Sequence, residues 1–279
     1  EPRLKDIYDA ENPDSKPNFR IIDTLKGIYD DPLIKPEEMK DYEFGISYNS
    51  NKIKAELNFY FMDFKNEIVN NGQLDNVGQP ISGNAGKSIH KGIELGISIN
   101  PFSQINFKGL TISGNLNLSD NYFTDYREVS GADSSGNIIY GNDYTDNKIL
   151  LTPGVIGNLT LNYSDDRGIN AYISLQHIGK QYLDNSENER KNPEIRNQIG
   201  YVEKIIKSYT VFNAGLSLNI LSLTETGKSL KVLKNVKIDF KANNIFDALY
   251  ETSGSISGGI PYWIPAATRN FYAELKIGF

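Results

Sequence analysis

Apolar and polar residues alternate along most of this chain. At its end Phe271, Ala273, Leu275, Ile277 and Phe279 alternate with Tyr272, Glu274, Lys276 and Gly278. A strand with one face in lipid and the other in water carries this period of two. A sandwich strand in solution alternates as well, so repetition is what decides. Ala55, Leu57, Phe59 and Phe61 oppose Glu56, Asn58 and Tyr60, and Ile93, Leu95, Ile97 and Ile99 oppose Glu94, Gly96 and Ser98 before Pro101. The same rhythm runs through Ile112–Leu118, Val155–Leu161, Ile169–Leu175, Phe212–Ile220 and Val236–Ala242. With Asp41 to Tyr48 included, the pattern predicts about nine strands. Their second face holds amides, hydroxyls and charges, which a packed core leaves unsatisfied and a wet lumen solvates. The predicted fold class is therefore all-β: an antiparallel transmembrane β-barrel segment with long extracellular loops.

Connection lengths point the same way. Short turns follow the first and fifth strands, at Asn49–Asn51 and Asp165–Gly168, and less sharply the third and seventh. Long loops are predicted over Lys65 to Gly86, Phe123 to Asn147, Gln181 to Ser208 and Asn244 to Thr268. Outer-membrane barrels keep short turns in the periplasm and long loops outside. Residues 1–40 then belong to one more extracellular loop region, residues 41–279 to the barrel strands, and the C-terminus to the periplasmic side.

Composition removes several classes of function. The longest apolar run falls far short of the roughly 18 residues of a membrane-spanning helix. A mean hydropathy of -0.44 does not oppose a barrel, which hides its apolar character in every second residue. With no cysteine, the chain has no disulfide framework, thiolate nucleophile or thiolate-held metal. A net charge of -6 argues against a nucleic-acid partner.

Candidate chemistry is sparse. Gly86-Lys87-Ser88 resembles the tail of a phosphate loop, but Ile81 stands where the leading glycine belongs and a strand follows. His90 and His177 are the two histidines, and neither has a partner at catalytic or ligand spacing in the sequence. Asp133, Asp143 and Asp146 share one polar loop, a composition that solvation explains without calcium. No enzyme activity, cofactor or metal site is predicted. Aromatic residues at strand ends suit the headgroup layer, whereas those deeper in loops can stack on a ligand. Tyr140, Tyr144, Tyr262 and Trp263 are the candidate ligand-binding residues.

Several stretches resemble the C-terminal barrel half of TonB-dependent outer-membrane receptors, particularly those of Bacteroidetes type. They are Glu1 to Tyr8, Pro36-Glu37-Glu38 before Tyr42 to Gly45, and Asn58 to Ile68. Asn84-Ala85-Gly86 with Gly92 to Leu95, Asn243 to Asp247 with Tyr250, and Pro265 to Phe271 complete an ordered set. The resemblance implies an outer-membrane location and active uptake of a scarce nutrient such as a siderophore, glycan or peptide. Such barrels have about 22 strands around a plug, so about nine make up less than half and the plug domain lies outside this chain. The expectation is a C-terminal part of a longer polypeptide, or a chain completed by another chain. Its partners would be the N-terminal strands and plug, the TonB energy-transducing complex reached through the N-terminal part, outer-membrane lipid and a surface lipoprotein. Phe271, Ala273, Leu275, Ile277 and Phe279 also resemble the signal read by the barrel-assembly machinery. The alternatives are a passive porin-like channel and a soluble or surface β-sandwich used for adhesion.

Overall fold

The computed structural model describes residues 19–23, 28–32, 35–74, 80–101, 109–132, 138–185, 193–223, 233, 235–257 and 259–279. In chain order the strands are β1 (Phe19–Asp23), β2 (Ile28–Pro32), β3 (Glu38–Asn49), β4 (Ile53–Leu74), β5 (Pro80–Ile99) and β6 (Leu110–Asp125). They continue with β7 (Arg127–Ala132), β8 (Ile138–Asp143), β9 (Val155–Ser164), β10 (Ile169–Ile178), β11 (Gln181–Tyr182) and β12 (Ile205–Ile206). The last five are β13 (Tyr209–Asn219), β14 (Asn235–Asn243), β15 (Glu251–Ser257), β16 (Ile260–Pro265) and β17 (Asn270–Gly278). One-turn helices occupy Pro193–Arg196 and Ile220–Leu223.

Nine of these strands form a wall in the order β3-β4-β5-β6-β9-β10-β13-β14-β17, each antiparallel to the next. The predicted number and alternation are both borne out. Register aligns the apolar positions into rows across the wall: Phe44, Phe59, Ile93, Leu118 and Val155 form one. Another runs Ile99, Ile112, Leu161, Ile173, Ala214, Ala242 and Phe271. Because the period is two, one slipped residue would turn a whole row to the polar side, so the rows fix the register.

The apolar face is uncovered. Phe44, Phe59, Ile93, Leu118, Leu161, Ile173, Leu216, Phe240, Phe271 and Leu275 are all exposed. Left in water, ten such side chains forfeit about 1 kcal/mol or more each. The sum matches the whole stability of a domain, so this face requires an apolar medium. A sandwich would cover it with a second sheet, and here no described strand does so.

The wall is open. Among the described residues β3 and β17 each have a wall neighbour on one side only. Unpaired backbone groups along such an edge are not tolerated in hydrocarbon. Barrel geometry supplies the remedy when further strands close the sheet.

Extended structure continues well past the apolar band, which departs from the loops predicted over 65–86, 123–147, 181–208 and 244–268. β4 has 22 residues and β5 has 20, twice the roughly 9–11 that cross a bilayer. Their ladder runs on from Lys65↔Lys87 to Leu74↔Pro80. Beyond the lipid no continuous apolar face is required, so the apolar-polar alternation lapses while the hydrogen bonds continue. Similarly β7 pairs β8 and β15 pairs β16 inside predicted loops, and the β1–β2 hairpin lies within the 1–40 region. β3 begins at Glu38, three positions before its predicted start.

At the opposite end the turns are tight. Asp165 Oδ1 accepts the backbone N–H groups of Arg167 (3.1 Å) and Ile169 (3.0 Å), while Oδ2 accepts Arg167 Nε at 2.7 Å. The Ile169 N–H, more than any other group, holds the Asp165 carboxyl below its ordinary value of 3.8. A depressed value in the folded state adds stability that is fully present above the unfolded value and fades as pH falls through the folded one. Unfolding of the receptor in detergent between pH 6 and 2 is expected to lose part of its acid sensitivity in Asp165→Asn, which still accepts but does not titrate. Superimposable pH profiles would refute the role of this turn.

Candidate functional site

The polar face of the wall is built from the alternate positions of the same strands. Tyr60 stands opposite Gly92 and Tyr172 opposite Gly215. A Cβ on Gly92 would lie 2.5 Å from both Tyr60 Oη and Leu118 O, and one on Gly215 would lie 2.3 Å from the Tyr172 ring. Each ring thus lies across the bare backbone of the neighbouring strand, covering it where a side chain would not fit. Farther along, Asp239 lies 3.4 Å from Lys237 Nζ and 3.1 Å from Lys276 Nζ. A cavity of about 330 Å³ is lined by Glu43, Asn58, Tyr60, Met62, His90, Glu94 and Asn121.

His90 has a partner that sequence spacing concealed. Its Nε2 lies 3.0 Å from Glu67 Oε1, Ser88 Oγ donates to Glu67 Oε2, and the Phe64 ring meets the imidazole at 5.0 Å. Continued alternation would turn Glu67 to the apolar face. Asn66, with φ of 55°, interrupts it; Asn tolerates this left-handed conformation better than most residues. Both hydroxyl and imidazole bind the carboxylate, whereas nucleophilic catalysis needs the imidazole on the hydroxyl. The ladder in register sets Glu67 opposite Ala85, so only the turned backbone at Asn66 brings its carboxylate to Ser88 and His90, and no sequence signal marks it.

At the long-loop end the connections are joined to one another. Asn185, almost wholly buried, accepts the Leu150 N–H at 3.2 Å and donates to Asn70 O at 3.0 Å. Its own carbonyl accepts Asn147 Nδ2 at 2.7 Å. One side chain and one carbonyl therefore tie β4, the 144–154 connection and the β10–β13 connection. Beside it Asp184 and Lys204 form an ion pair of 3.2 Å with little solvent access. Leu183, Ile206 and Ile256 bury one another, and Ile256 pairs Gln73 in parallel register, which brings in β15 and the tip of β4. A second cluster joins Val69, Ala85, Phe123, Tyr126, Tyr144 and Ile149. Asparagine is common in any polar loop, so nothing in the sequence distinguishes Asn185 from its neighbours.

The four aromatic candidates divide. Tyr144 is buried, its ring 5.3 Å from Tyr126, and it serves packing. Trp263 donates Nε1 to Ile205 O at 2.8 Å, which fixes the indole against the β10–β13 connection. Tyr140 on β8 and Tyr262 on β16 each expose about half their surface, 55% in both cases. Asp133 lies outside the described residues. Asp143 is engaged by the Thr145 N–H at 3.0 Å, which holds its carboxyl below the ordinary value, and by Arg127. Among the described residues no cluster of His, Asp and Glu is arranged to hold a metal. The motif at Glu1 to Tyr8 also lies outside the described residues. The terminal strand β17 turns Phe271, Ala273, Leu275 and Ile277 to the exposed apolar face, continued by Phe279.

The fold recurs in solved transporters. The ferric citrate transporter FecA in its unliganded form superposes with a TM-score of 0.60 at 16% identity, covering 86% of this chain and 31% of that one. The siderophore receptor PiuA from Acinetobacter baumannii gives 0.56 at 20%, covering 88% and 29%. The ferric yersiniabactin uptake receptor FyuA from Yersinia pestis gives 0.56 at 17%, covering 85% and 29%. The chain thus spans less than a third of the length of these proteins, and identities this low speak to fold alone. No curated protein sequence matches it. The sequence itself matches the model of the TonB dependent receptor-like β-barrel over residues 4–245. An apolar-out, polar-in open wall and a family match over most of its length agree: the chain belongs to the TonB-dependent receptor β-barrel family of the outer membrane and forms part of such a barrel.

Proposed function

We propose that this chain is the C-terminal wall and extracellular face of a receptor that binds a scarce nutrient outside the cell and admits it through the barrel under energy from TonB. The observation that carries this reading is the pairing of an open membrane wall with long-loop connections tied into one ordered layer. A passive pore needs only the wall; a layer built on buried amides presents a fixed surface to a ligand. Residues 1–40 contribute to the extracellular side and 41–279 supply the strands. The N-terminal strands and plug complete the lumen, and the TonB complex acts through that part. Siderophore, glycan and peptide are the ligand classes that exposed aromatic faces and amides serve. Phe271, Ala273, Leu275, Ile277 and Phe279 form the strand offered to the assembly machinery, and a surface lipoprotein would cap the extracellular side.

Tyr140, Tyr262 and Trp263 are the proposed ligand contacts, while Tyr144 packs in the cluster around Phe123. The test uses the complete receptor with its transported ligand found by uptake screening in cells with and without TonB. Uptake that disappears without TonB supports active transport, and uptake that persists favours the porin-like alternative. In the triple variant Tyr140→Ala, Tyr262→Ala, Trp263→Ala, three lost aromatic contacts at about 1 kcal/mol each are expected to weaken binding roughly a hundredfold. Unchanged affinity removes these residues from the site.

A further inference from the structure

Just beyond the apolar row of Ile93 and Leu118, the outer face of β5 and β6 becomes charged. Lys91 stands opposite Asp120, with Nζ 3.6 Å from Oδ2. Lys148 is bridged to Tyr122 through the backbone, and its ammonium donates to the other oxygen of Asp120. The two ammonium groups lie 5.1 and 5.3 Å from the centre of the Tyr122 ring. Strand alternation places Lys91, Asp120 and Tyr122 on the same side as Ile93 and Leu118, which is the lipid side. All three charged side chains remain about two-fifths exposed, at 43%, 42% and 43%.

Position identifies the occupant. β5 and β6 are interior strands, with β4 and β9 on either side. Strands that complete the barrel add at β3 or β17 and leave this face uncovered. A group at this height and on this side meets the headgroup layer, where tyrosine is favoured. Two ammoniums against one carboxylate leave a net positive charge, and phosphate is the anion a headgroup presents.

We propose that Lys91, Lys148 and the Tyr122 hydroxyl bind the phosphate of an outer-leaflet lipid on the barrel wall. Asp120 takes one ammonium on each of its oxygens and so keeps the two close together beside the ring, within reach of one anion. The proposal rests on the reading of this end as extracellular. It is independent of which nutrient is carried, because bound lipid rather than uptake is measured.

The complete receptor in detergent, titrated with a bisphosphorylated lipid A and examined by intact-complex mass spectrometry, tests it. One tightly retained phosphorylated lipid per receptor is expected, with the dephosphorylated lipid binding far more weakly. Lys91→Gln with Lys148→Gln should lower retention roughly thirtyfold. Lys148→Gln alone, one ammonium fewer, should lower it roughly fivefold and serves if the double variant fails to assemble. Equal retention by parent and double variant would overturn the site. So would equal binding of phosphorylated and dephosphorylated lipid. Displacement by millimolar inorganic phosphate at the same concentration as by lipid would show a site for free phosphate and overturn the assignment to lipid.

Discussion

Replacing Asn185 with Leu is expected to loosen the whole extracellular layer while leaving the membrane wall intact. The side chains are similar in size, so packing changes little and the effect isolates hydrogen bonding. Leu150 N–H and Asn70 C=O both lose their partner. A buried polar group left unpaired costs about 1–3 kcal/mol, and since Leu150 is buried and Asn70 exposed, the expected loss is about that size and comes chiefly from the Leu150 N–H. Asn185→Asp keeps the acceptor for Leu150 but buries a carboxylate oxygen against the Asn70 carbonyl, and should loosen the layer as well. The readout is limited proteolysis of the folded receptor: cleavage after Gln181 and within residues 144–154 should accelerate, while the heat resistance of the barrel in detergent is retained. Equal cleavage rates in parent and variant would show that these connections are held by other contacts.

Gly92→Val is expected to be more severe, because it strikes the wall. Its first side-chain carbon would sit 2.5 Å from Leu118 O, a backbone atom of the adjacent strand. Backbone in the middle of a ladder cannot swing aside as a side chain does. The Tyr60 hydroxyl at the same distance also has to leave. Overpacking usually costs about 1–3 kcal/mol, and here the ladder itself must separate, so little folded receptor should reach the membrane. Tyr60→Phe removes the hydroxyl contact and not the carbonyl one, so the double variant should recover little. Gly83→Ala on the same strand, where a Cβ meets nothing within 4 Å, is the control and should assemble normally. A Gly92→Val receptor with parental heat resistance would contradict the close approach of β5 and β6.

What could be read from the sequence follows the lipid. Where one face meets hydrocarbon, the period of two is enforced at each step, as in Phe271 to Ile277 or Ala55 to Phe61, and those strands were legible. Past Lys65 and before Lys87 the ladder runs on through Asn66, Asn70, Gly83 and Asn84, residues that favour turns in isolation, and among its described residues only Val69 and Ala85 bury apolar surface, against Phe123 and Tyr126 of a distant stretch. Local pattern therefore predicts a loop across the β4–β5 extension. Concealment was similar at the site. Tyr144 and Tyr140 share a composition and a loop, and burial alone separates them. Glu67 reaches His90 because Asn66 breaks the alternation of β4, and Asn185 meets Asn70 through a fold contact; neither leaves a trace in local pattern.

The bond from Asn185 to Asn70 joins residues 115 positions apart. Closing so large a loop is entropically costly, and contacts of this kind form late. By contrast, each wall strand from β3 to β6 finds its partner in the adjacent hairpin. Folding order follows: the wall can zip strand by strand from local pairs, whereas the extracellular layer must wait until β10 is seated. A newly inserted chain would therefore pass through a stage with its wall strands paired and the amides of its outer layer still apart.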